Sequence, residues 1–147
     1  MKGIAMALRL PYAQLSPAAY QGLASVKASL QHSSLGLPLI ELVYLRVSQI
    51  NGCAFCLKMH ASALRARGED NERIDALAGW RVSEWFSARE RAALEWAESL
   101  THIAVTQAPD RHYLPLQAHF TAEEIADLSF AIALMNAFNR LAVGMRQ

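Results

Sequence analysis

The chain has 147 residues, the length of one domain, and 53% of them are hydrophobic while 18% are charged. This composition excludes a disordered chain, and a net charge of +1 with scattered lysines and arginines excludes the basic surface of a nucleic-acid-binding protein. A domain this small and this apolar favours a subunit interface, so we expect a homo-oligomer.

The sequence also bears on the compartment. Arg9 interrupts the apolar stretch near the N-terminus, and no uninterrupted apolar run approaches the ~18 residues that a membrane span needs. Two cysteines at close spacing do not make the framework of a secreted disulfide-rich domain. We therefore expect a cytoplasmic protein with neither nucleic acid nor a membrane as a partner.

The chain is predicted to begin with an irregular lead-in over residues 1–15. Ser16 and Pro17 then start a helix, with serine as the N-cap and proline at the first helical position, where its missing N–H costs nothing. This helix is predicted to end before Gly36, and Pro38 opens a second helix.

The second helix has an almost complete helical pattern of apolar residues. They recur at i, i+3, i+4, i+8 and i+11, as Leu39, Leu42, Val43, Val47 and Ile50. Glu41 lies on the neighbouring stripe. Periodicity alone therefore places Glu41 on the exposed surface.

A glycine-containing corner is predicted to join this helix to the next. Asn51 and Gly52 end the second helix and cap a third one, which runs from about Cys53 to Arg67. Gly68 is a natural left-handed stop for the third helix.

The rest of the chain continues as helices. Asp70 starts a short helix, and capping boxes at residues 87–90 and 121–124 open two longer ones, the last apolar on most sides. Pro109 and Pro115 bracket a shorter segment. No alternating run or hairpin dipeptide indicates a strand, so the sequence predicts a single all-α domain of six or seven helices.

Four reactive side chains form the pattern E-x11-C-x2-C-x3-H. They are Glu41, Cys53, Cys56 and His60. The cysteines share one face at the N-terminus of the third helix, within reach of a disulfide, and His60 lies one turn beyond Cys56. Glu41 lies three turns before the corner, so the spacing permits all four side chains to converge.

This arrangement supports redox chemistry. A helix N-terminus and a neighbouring imidazolium both lower the pKa of a cysteine below its usual ~8.5, which favours the nucleophilic thiolate. A thiolate that attacks a peroxide becomes a sulfenic acid, and a second thiol condenses with it to a disulfide. We hypothesise that Cys56 attacks, Cys53 resolves, and His60 and Glu41 relay protons.

The same residues leave alternatives open. All four side chains could in principle hold a zinc ion, although ligands this closely spaced on one helix make an unusual site. The cysteines could also be buried and inert. A thioredoxin-type exchange site would need a βαβ context that the sequence lacks.

The pattern resembles the alkylhydroperoxidase D (AhpD-like) branch of the carboxymuconolactone decarboxylase superfamily. Residues 83–101, 119–125 and 136–141 also look like helices of that family, so the resemblance covers most of residues 36–145. It implies one AhpD-like domain over 1–147 with its redox core at about 36–105, in a trimer or, as we expect, a hexamer. It also implies hydroperoxide reduction without a metal or organic cofactor, recycled by an unidentified dithiol or protein reductant.

The resemblance assigns roles residue by residue. The second cysteine, Cys56, corresponds to the peroxidatic thiol and Cys53 to the resolving thiol, while Glu41 and His60 correspond to the proton relay. Glu41 is therefore expected in the site rather than on the surface. Phe55 stands where the best-known peroxidase members carry histidine, which implies a more apolar pocket that favours bulky organic hydroperoxides.

Several other polar and aromatic residues are left outside the site. The remaining histidines are interpreted as surface or helix-end residues, the tryptophans as core or interface anchors, and three residues of the last helix as side chains that fix this helix. They are His32, His102, His112, His119, Trp80, Trp85, Trp96, Asn136, Asn139 and Arg140. The notable alternative to enzymatic turnover is a redox-sensing or interaction protein that forms the disulfide only.

Overall fold

The computed structural model describes residues 3, 4 and 6–147, and Met1, Lys2 and Ala5 lie outside the described part. Within it the chain is all-α and contains no strand. The α-helices are α1 (Tyr12–Leu15), α2 (Pro17–Leu30), α3 (Leu37–Asn51), α4 (Ala54–Ala66), α5 (Asn71–Ala76), α6 (Ala88–Thr101), α7 (Ile103–Thr106), α8 (Asp110–Tyr113) and α9 (Ala122–Met145). Two 3-10 helices span Leu77–Val82 and Leu114–Ala118.

The predicted fold class is confirmed, and the differences lie in short elements. Helices α1, α7 and α8 are single turns of four residues each. Helix α1 lies inside the lead-in that was predicted to be irregular, where the Leu15 N–H donates to the Pro11 carbonyl and the Tyr12 ring contacts Tyr20 of α2. One turn is too short to produce a periodic pattern, so only tertiary contacts reveal it.

Most helix starts follow the predicted chemistry. Both capping boxes are complete, at Ser87 with Glu90 and at Thr121 with Glu124. Ser16 occupies the N-cap position of α2, but its side chain makes no capping hydrogen bond. Pro at the first helical position leaves fewer amides to satisfy there, which reduces the need for this bond.

Helix α3 lies at the centre of the domain. Nine of its fifteen residues are buried, and it packs against α4, α6 and α9. One core cluster joins α3 to α6 and α9, and a second lies between α3, α4 and the first 3-10 helix. The first cluster holds α3 and the second packs α4 against α3, so the corner between these two helices has little freedom to move.

Helix α9 is apolar on most sides because it packs on several neighbours. Its buried residues are Ile125, Leu128, Ala131, Ile132, Leu134, Met135, Asn139 and Ala142. Length and composition alone would also allow this 24-residue helix to cross a membrane. Its packing against α2, α3 and α6 is that of a core helix.

The tryptophans occupy different environments. Trp80 and Trp96 are buried, which confirms their assignment as core residues, and their indole N–H groups donate to Glu98 and Ser129. Trp85 is 45% exposed, so it is not a core residue, and its interpretation as an interface anchor stays a prediction. It follows the first 3-10 helix in an irregular segment, where periodicity gives no information about burial.

A partly buried carboxylate ties α3, the first 3-10 helix and α6 together. The Glu98 carboxylate accepts hydrogen bonds from Arg46 at 3.0 Å, from the Trp80 indole at 2.9 Å and from Arg81 at 2.8 Å. Burial acts to raise the pKa of Glu98, but the bonds from Trp80, Arg81 and Arg46 outweigh it and the pKa is lowered. The folded state therefore favours the ionised form.

Glu98→Gln should destabilise the protein relative to the unsubstituted chain. This loss of stability should be larger at neutral pH than at acid pH. A lowered pKa in the folded state contributes stability above the unfolded value of about 4.3, and this contribution is lost as the pH falls through the folded pKa. We expect a loss of about 1–3 kcal/mol at pH 7 by urea unfolding. Glu84→Gln, at an exposed loop position, is the control; an equal loss for Glu98→Gln at acid pH would contradict this account.

Candidate redox site

The corner between α3 and α4 presents both cysteines. Gly52 adopts φ 65° and ψ 36°, a left-handed conformation that ends α3 and turns the chain. Cys53 is extended and acts as the N-cap of α4, with its sulfur accepting from the Cys56 N–H at 3.3 Å. The prediction that Asn51 and Gly52 cap α4 was therefore wrong by one residue, because Gly52 is still completing the end of α3.

The two cysteines form a disulfide. Their Cα atoms are 5.3 Å apart, and the side chains are 1% and 2% exposed for Cys53 and Cys56. The predicted proximity of the sulfurs is confirmed. Each sulfur sits at the start of α4, where the unpaired amides of the first turn stabilise negative charge.

Glu41 and His60 form a buried pair behind the disulfide. Glu41 Oε2 lies 2.7 Å from His60 Nδ1, and the two residues are 8% and 1% exposed. The placement of Glu41 on the exposed surface, expected from periodicity, was wrong. Periodicity shows only which residues of one helix are apolar. The burial of the Glu41 carboxylate is tolerated because of its hydrogen-bond partner His60, which belongs to another helix, α4.

The other ring nitrogen of His60 has no partner. His60 Nε2 is buried and makes no hydrogen bond to any described residue. Because Nδ1 faces a carboxylate, Nδ1 is the nitrogen that holds the proton, and Nε2 is free to accept one. Cys56 precedes His60 by one turn, so the second cysteine and the imidazole lie on the same face of α4.

Tyr44 is a further member of the site that the sequence analysis did not identify. Its ring lies 5.1 Å from the His60 ring, and its buried hydroxyl has no hydrogen-bond partner among the described residues. Burial, and then the charge of Glu41, raise the pKa of Tyr44 well above its usual value, so it stays a neutral phenol. The sequence indicated that Tyr44 lies near the site only through its position in α3, one turn after Glu41.

Cys56 opens into an apolar cavity of about 200 Å³, which we call the Cys56 cavity. It lies where α2, α4 and α9 meet, next to α1 and the C-terminal residue. Its lining residues are Tyr12, Tyr20, Ala24, Lys27, Phe55, Cys56, Met59, Met135, Phe138, Ala142 and Gln147. Phe55 is 46% exposed and lines this cavity, as the resemblance implied for the residue before the second cysteine.

Cys53 opens into a separate cavity of about 160 Å³. Gly52, Ala54 and residues near the end of α9, including Ala142 and Arg146, also line it. Ala142 packs against both cysteines and lines both cavities. The two sulfurs of the disulfide thus face different openings.

A buried polar network fixes the cysteine corner to α9. Asn51, at the end of α3, donates from Nδ2 to Oδ1 of Asn136 and of Asn139, both at 3.0 Å. Asn139 is fully buried and donates to Ser48 Oγ at 3.1 Å, while the Ser48 carbonyl accepts from the Cys53 N–H. The helix-fixing role predicted for Asn136 and Asn139 is confirmed, and it acts on the cysteine corner itself.

The remaining histidines lie outside this site. His32 and His102 are exposed, with His102 at the C-cap of α6, and His119 is the C-cap of the second 3-10 helix. His112 contacts Ser99 Oγ and the Glu95 carboxylate, which joins α8 to α6. Among the described residues, no three His, Cys, Asp or Glu side chains converge to share a metal ion.

Comparison with known proteins places this site in a wider group. The sequence model of the carboxymuconolactone decarboxylase family matches residues 17–99, which include both cysteines, Glu41 and His60. An uncharacterized protein of Bacillus subtilis, YdfG, is 35% identical over 140 residues, or 95% of each chain.

Two solved structures share the fold. One is a protein of unknown function from Agrobacterium tumefaciens, provisionally assigned as the antioxidant defence protein AhpD; it has a TM-score of 0.92 and 40% identity over 96% of this chain and 97% of that one. The other is an uncharacterized peroxidase-related protein from Ralstonia eutropha with an alkylhydroperoxidase AhpD core. It has a TM-score of 0.78 and 22% identity over 91% of this chain and 73% of that one, a likeness of fold alone.

Asn139→Ala should weaken the attachment of the cysteine corner. The substitution leaves buried hydrogen-bonding groups of Asn51 and Ser48 without their partner, so we expect the free energy of unfolding to fall by about 1–3 kcal/mol. Amide exchange at Cys53 should become faster, as measured by hydrogen–deuterium exchange. Arg140 donates to Asn136 of the same network, so Glu123→Ala, at an exposed position in the first turn of α9, is the control; equal losses for Asn139→Ala and Glu123→Ala would contradict the role of Asn139.

Proposed function

The chain belongs to the carboxymuconolactone decarboxylase family, as an AhpD-like member with a cysteine pair beside a buried glutamate–histidine pair, and we propose that it is a thiol-dependent reductase of organic hydroperoxides. The observation that carries the proposal is the state of His60. One ring nitrogen is held by Glu41 at 2.7 Å, and the other is buried, unpaired and one turn from Cys56. An imidazole held in this way is suited to move a proton to and from a sulfur or a peroxide oxygen.

In the first step the reduced Cys56 attacks the peroxide. His60 Nε2 takes the thiol proton, and the Cys56 thiolate attacks the terminal oxygen of the hydroperoxide. The S–O bond forms as the O–O bond breaks, and the departing alkoxide receives the proton from His60 and leaves as the alcohol. Cys56 is oxidised to a sulfenic acid while the peroxide is reduced by two electrons.

In the second step Cys53 resolves the sulfenic acid. The Cys53 thiol loses its proton as its sulfur attacks the Cys56 sulfur. The S–S bond forms, the S–O bond of Cys56 breaks, and the departing hydroxyl group takes that proton and leaves as water. The product is the disulfide, whose geometry the fold already accommodates. An external dithiol then restores both thiols by two exchange reactions, which suits the reducing conditions of the cytoplasm.

Glu41 supports the proton transfers through His60. Its carboxylate fixes the His60 tautomer with the proton on Nδ1, and it stabilises the imidazolium that forms when Nε2 takes the thiol proton. Both residues are buried, which strengthens this interaction relative to water. Glu41 is therefore a positioning residue that acts on the reaction through His60.

The lining of the Cys56 cavity favours organic hydroperoxides over hydrogen peroxide. Aromatic rings and two methionines bind an apolar body, and Phe55 adds a ring where peroxidase members of the family carry a histidine. Burial of an alkyl or aryl group in such a cavity contributes about 25 cal/mol per Å² of apolar surface. Hydrogen peroxide has no group that gains this energy.

A second candidate function is redox sensing without useful turnover. Both sulfurs are nearly inaccessible, at 1% and 2% exposure, so a bulky protein reductant cannot reach the disulfide without local opening. Repeated turnover with dithiothreitol, a small dithiol, separates the two functions. A reductase consumes many equivalents of hydroperoxide, whereas a sensor that is not recycled consumes one equivalent per chain.

Serine substitutions at the two cysteines should have opposite signatures. Cys56→Ser should abolish hydroperoxide consumption because the attacking sulfur is gone. Cys53→Ser should consume one equivalent and leave a sulfenic acid at Cys56, which dimedone traps with a mass increase on that residue. If Cys53→Ser is the variant that fails to react, the two roles are reversed.

Glu41→Gln should slow the reaction while the fold is kept. The amide is neutral and nearly the same size, so it removes the charge that supports the imidazolium, and we expect kcat/KM to fall about 10- to 100-fold. Stopped-flow kinetics across a range of pH measures the change. Glu72→Gln, at an exposed position of α5, is the control, and an unchanged rate in Glu41→Gln would remove Glu41 from the relay.

A further inference from the structure

The Cys56 cavity contains one charged side chain. Most of its walls are aromatic, aliphatic or sulfur-containing groups. The neutral polar groups belong to Tyr12, Tyr20 and Gln147, and the charged side chain is Lys27. No acidic side chain of the described residues lines this cavity. A single ammonium group in an apolar wall is an uncommon choice, because charged groups are depleted from such surfaces unless they meet a partner.

Lys27 lines the cavity by its position on α2. Tyr20, Ala24 and Lys27 recur at i, i+4 and i+7, so they form one face of α2, and this face borders the cavity opposite α4 and α9. Lys27 is partly buried. Its aliphatic stem can pack on the wall while the ammonium group faces the space that a ligand would fill.

Lys27 has no carboxylate partner among the described residues. The ion pairs of the structure do not include it. It also lines a small adjoining cavity of about 60 Å³ together with Glu41, but the Glu41 carboxylate is held by His60 at 2.7 Å. Lys27 thus makes no ion pair with a described residue, and it lies beside an apolar pocket.

The size of the Cys56 cavity limits the ligand. A dry apolar cavity of about 150 Å³ is known to hold one benzene ring. The volume of about 200 Å³ therefore takes an aryl group or a compact branched alkyl group with a few further atoms. A long fatty acyl chain exceeds it.

We propose that the substrate is a compact aryl or alkyl hydroperoxide that carries a carboxylate, and that Lys27 is the residue that binds this carboxylate. The inference rests on the proposed function, and it names the substrate class of the same site. The apolar body lies against the rings of Tyr20, Phe55 and Phe138, the peroxide group meets Cys56, and the carboxylate pairs with the Lys27 ammonium. The redox steps are unchanged, because the carboxylate takes no part in them.

The test compares two hydroperoxides that differ by one charge. They are cumene hydroperoxide and the same compound with a carboxylate at the para position of the ring, each reduced by wild-type protein with dithiothreitol. We expect kcat/KM to be about tenfold higher for the carboxylated compound, the worth of one charge-assisted hydrogen bond, with most of the difference in KM. In Lys27→Met the ratio of the two kcat/KM values should fall to about one.

Lys58→Met is the matched control. Lys58 is exposed on α4 and does not line the cavity, so the same substitution with the same loss of charge should keep the wild-type ratio. A fall in the ratio for Lys58→Met as large as that for Lys27→Met would mean a general charge effect and would overturn the proposal.

The remaining outcomes distinguish a failure of this inference from a failure of the proposed reductase function on which it rests. If wild-type protein reduces both compounds without preference, the role of Lys27 is overturned while the reductase function stands. If Lys27→Met slows both compounds equally and keeps the ratio, Lys27 supports Glu41 instead and the inference is also overturned. If wild-type protein reduces neither compound, the proposed function fails and the inference fails with it.

Discussion

The arrangement of this domain depends on the buried hydrogen bond between Glu41 and His60. A carboxylate inside a protein is costly unless a partner compensates it, and here the partner lies on a neighbouring helix at 2.7 Å. The bond sets the relative position of α3 and α4 at the level of the cysteines. It also decides which nitrogen of His60 is free, one turn of α4 after Cys56. The stability of the fold and the proposed proton transfers therefore both require the hydrogen bond between Glu41 and His60.

Two other features hold that pair in register with the disulfide. The left-handed Gly52 turns the chain within two residues, so Cys53 begins α4 as its cap. Asn51 and Asn139 tie the corner to α9 through buried hydrogen bonds. The rigid corner then separates two approaches to one disulfide, an apolar cavity at Cys56 and a second opening at Cys53. A peroxide and a reductant need not compete for the same space.

Much of the fold could be predicted because its signals are local. Capping boxes at Ser87 and Thr121 and the apolar pattern of α3 depend on neighbours along the chain, and the all-α class follows from them. The family resemblance, which the comparisons confirm, located Glu41 where periodicity had misplaced it. The contact between Tyr44 and His60 and the contribution of α2 and α9 to the Cys56 cavity could not be predicted, since they arise where separate helices meet. The homo-oligomer, the reductant and the catalytic roles stay predictions.

The most direct test of the central claim uses wild-type protein alone. Fully reduced protein receives one equivalent of cumene hydroperoxide, and peroxide loss, free thiols and intact mass are followed over seconds to minutes. The account predicts that peroxide and both thiols disappear together, with a mass decrease of two hydrogens as the Cys53–Cys56 disulfide forms. Peroxide that persists beside two unreacted thiols would contradict it and leave only the fold.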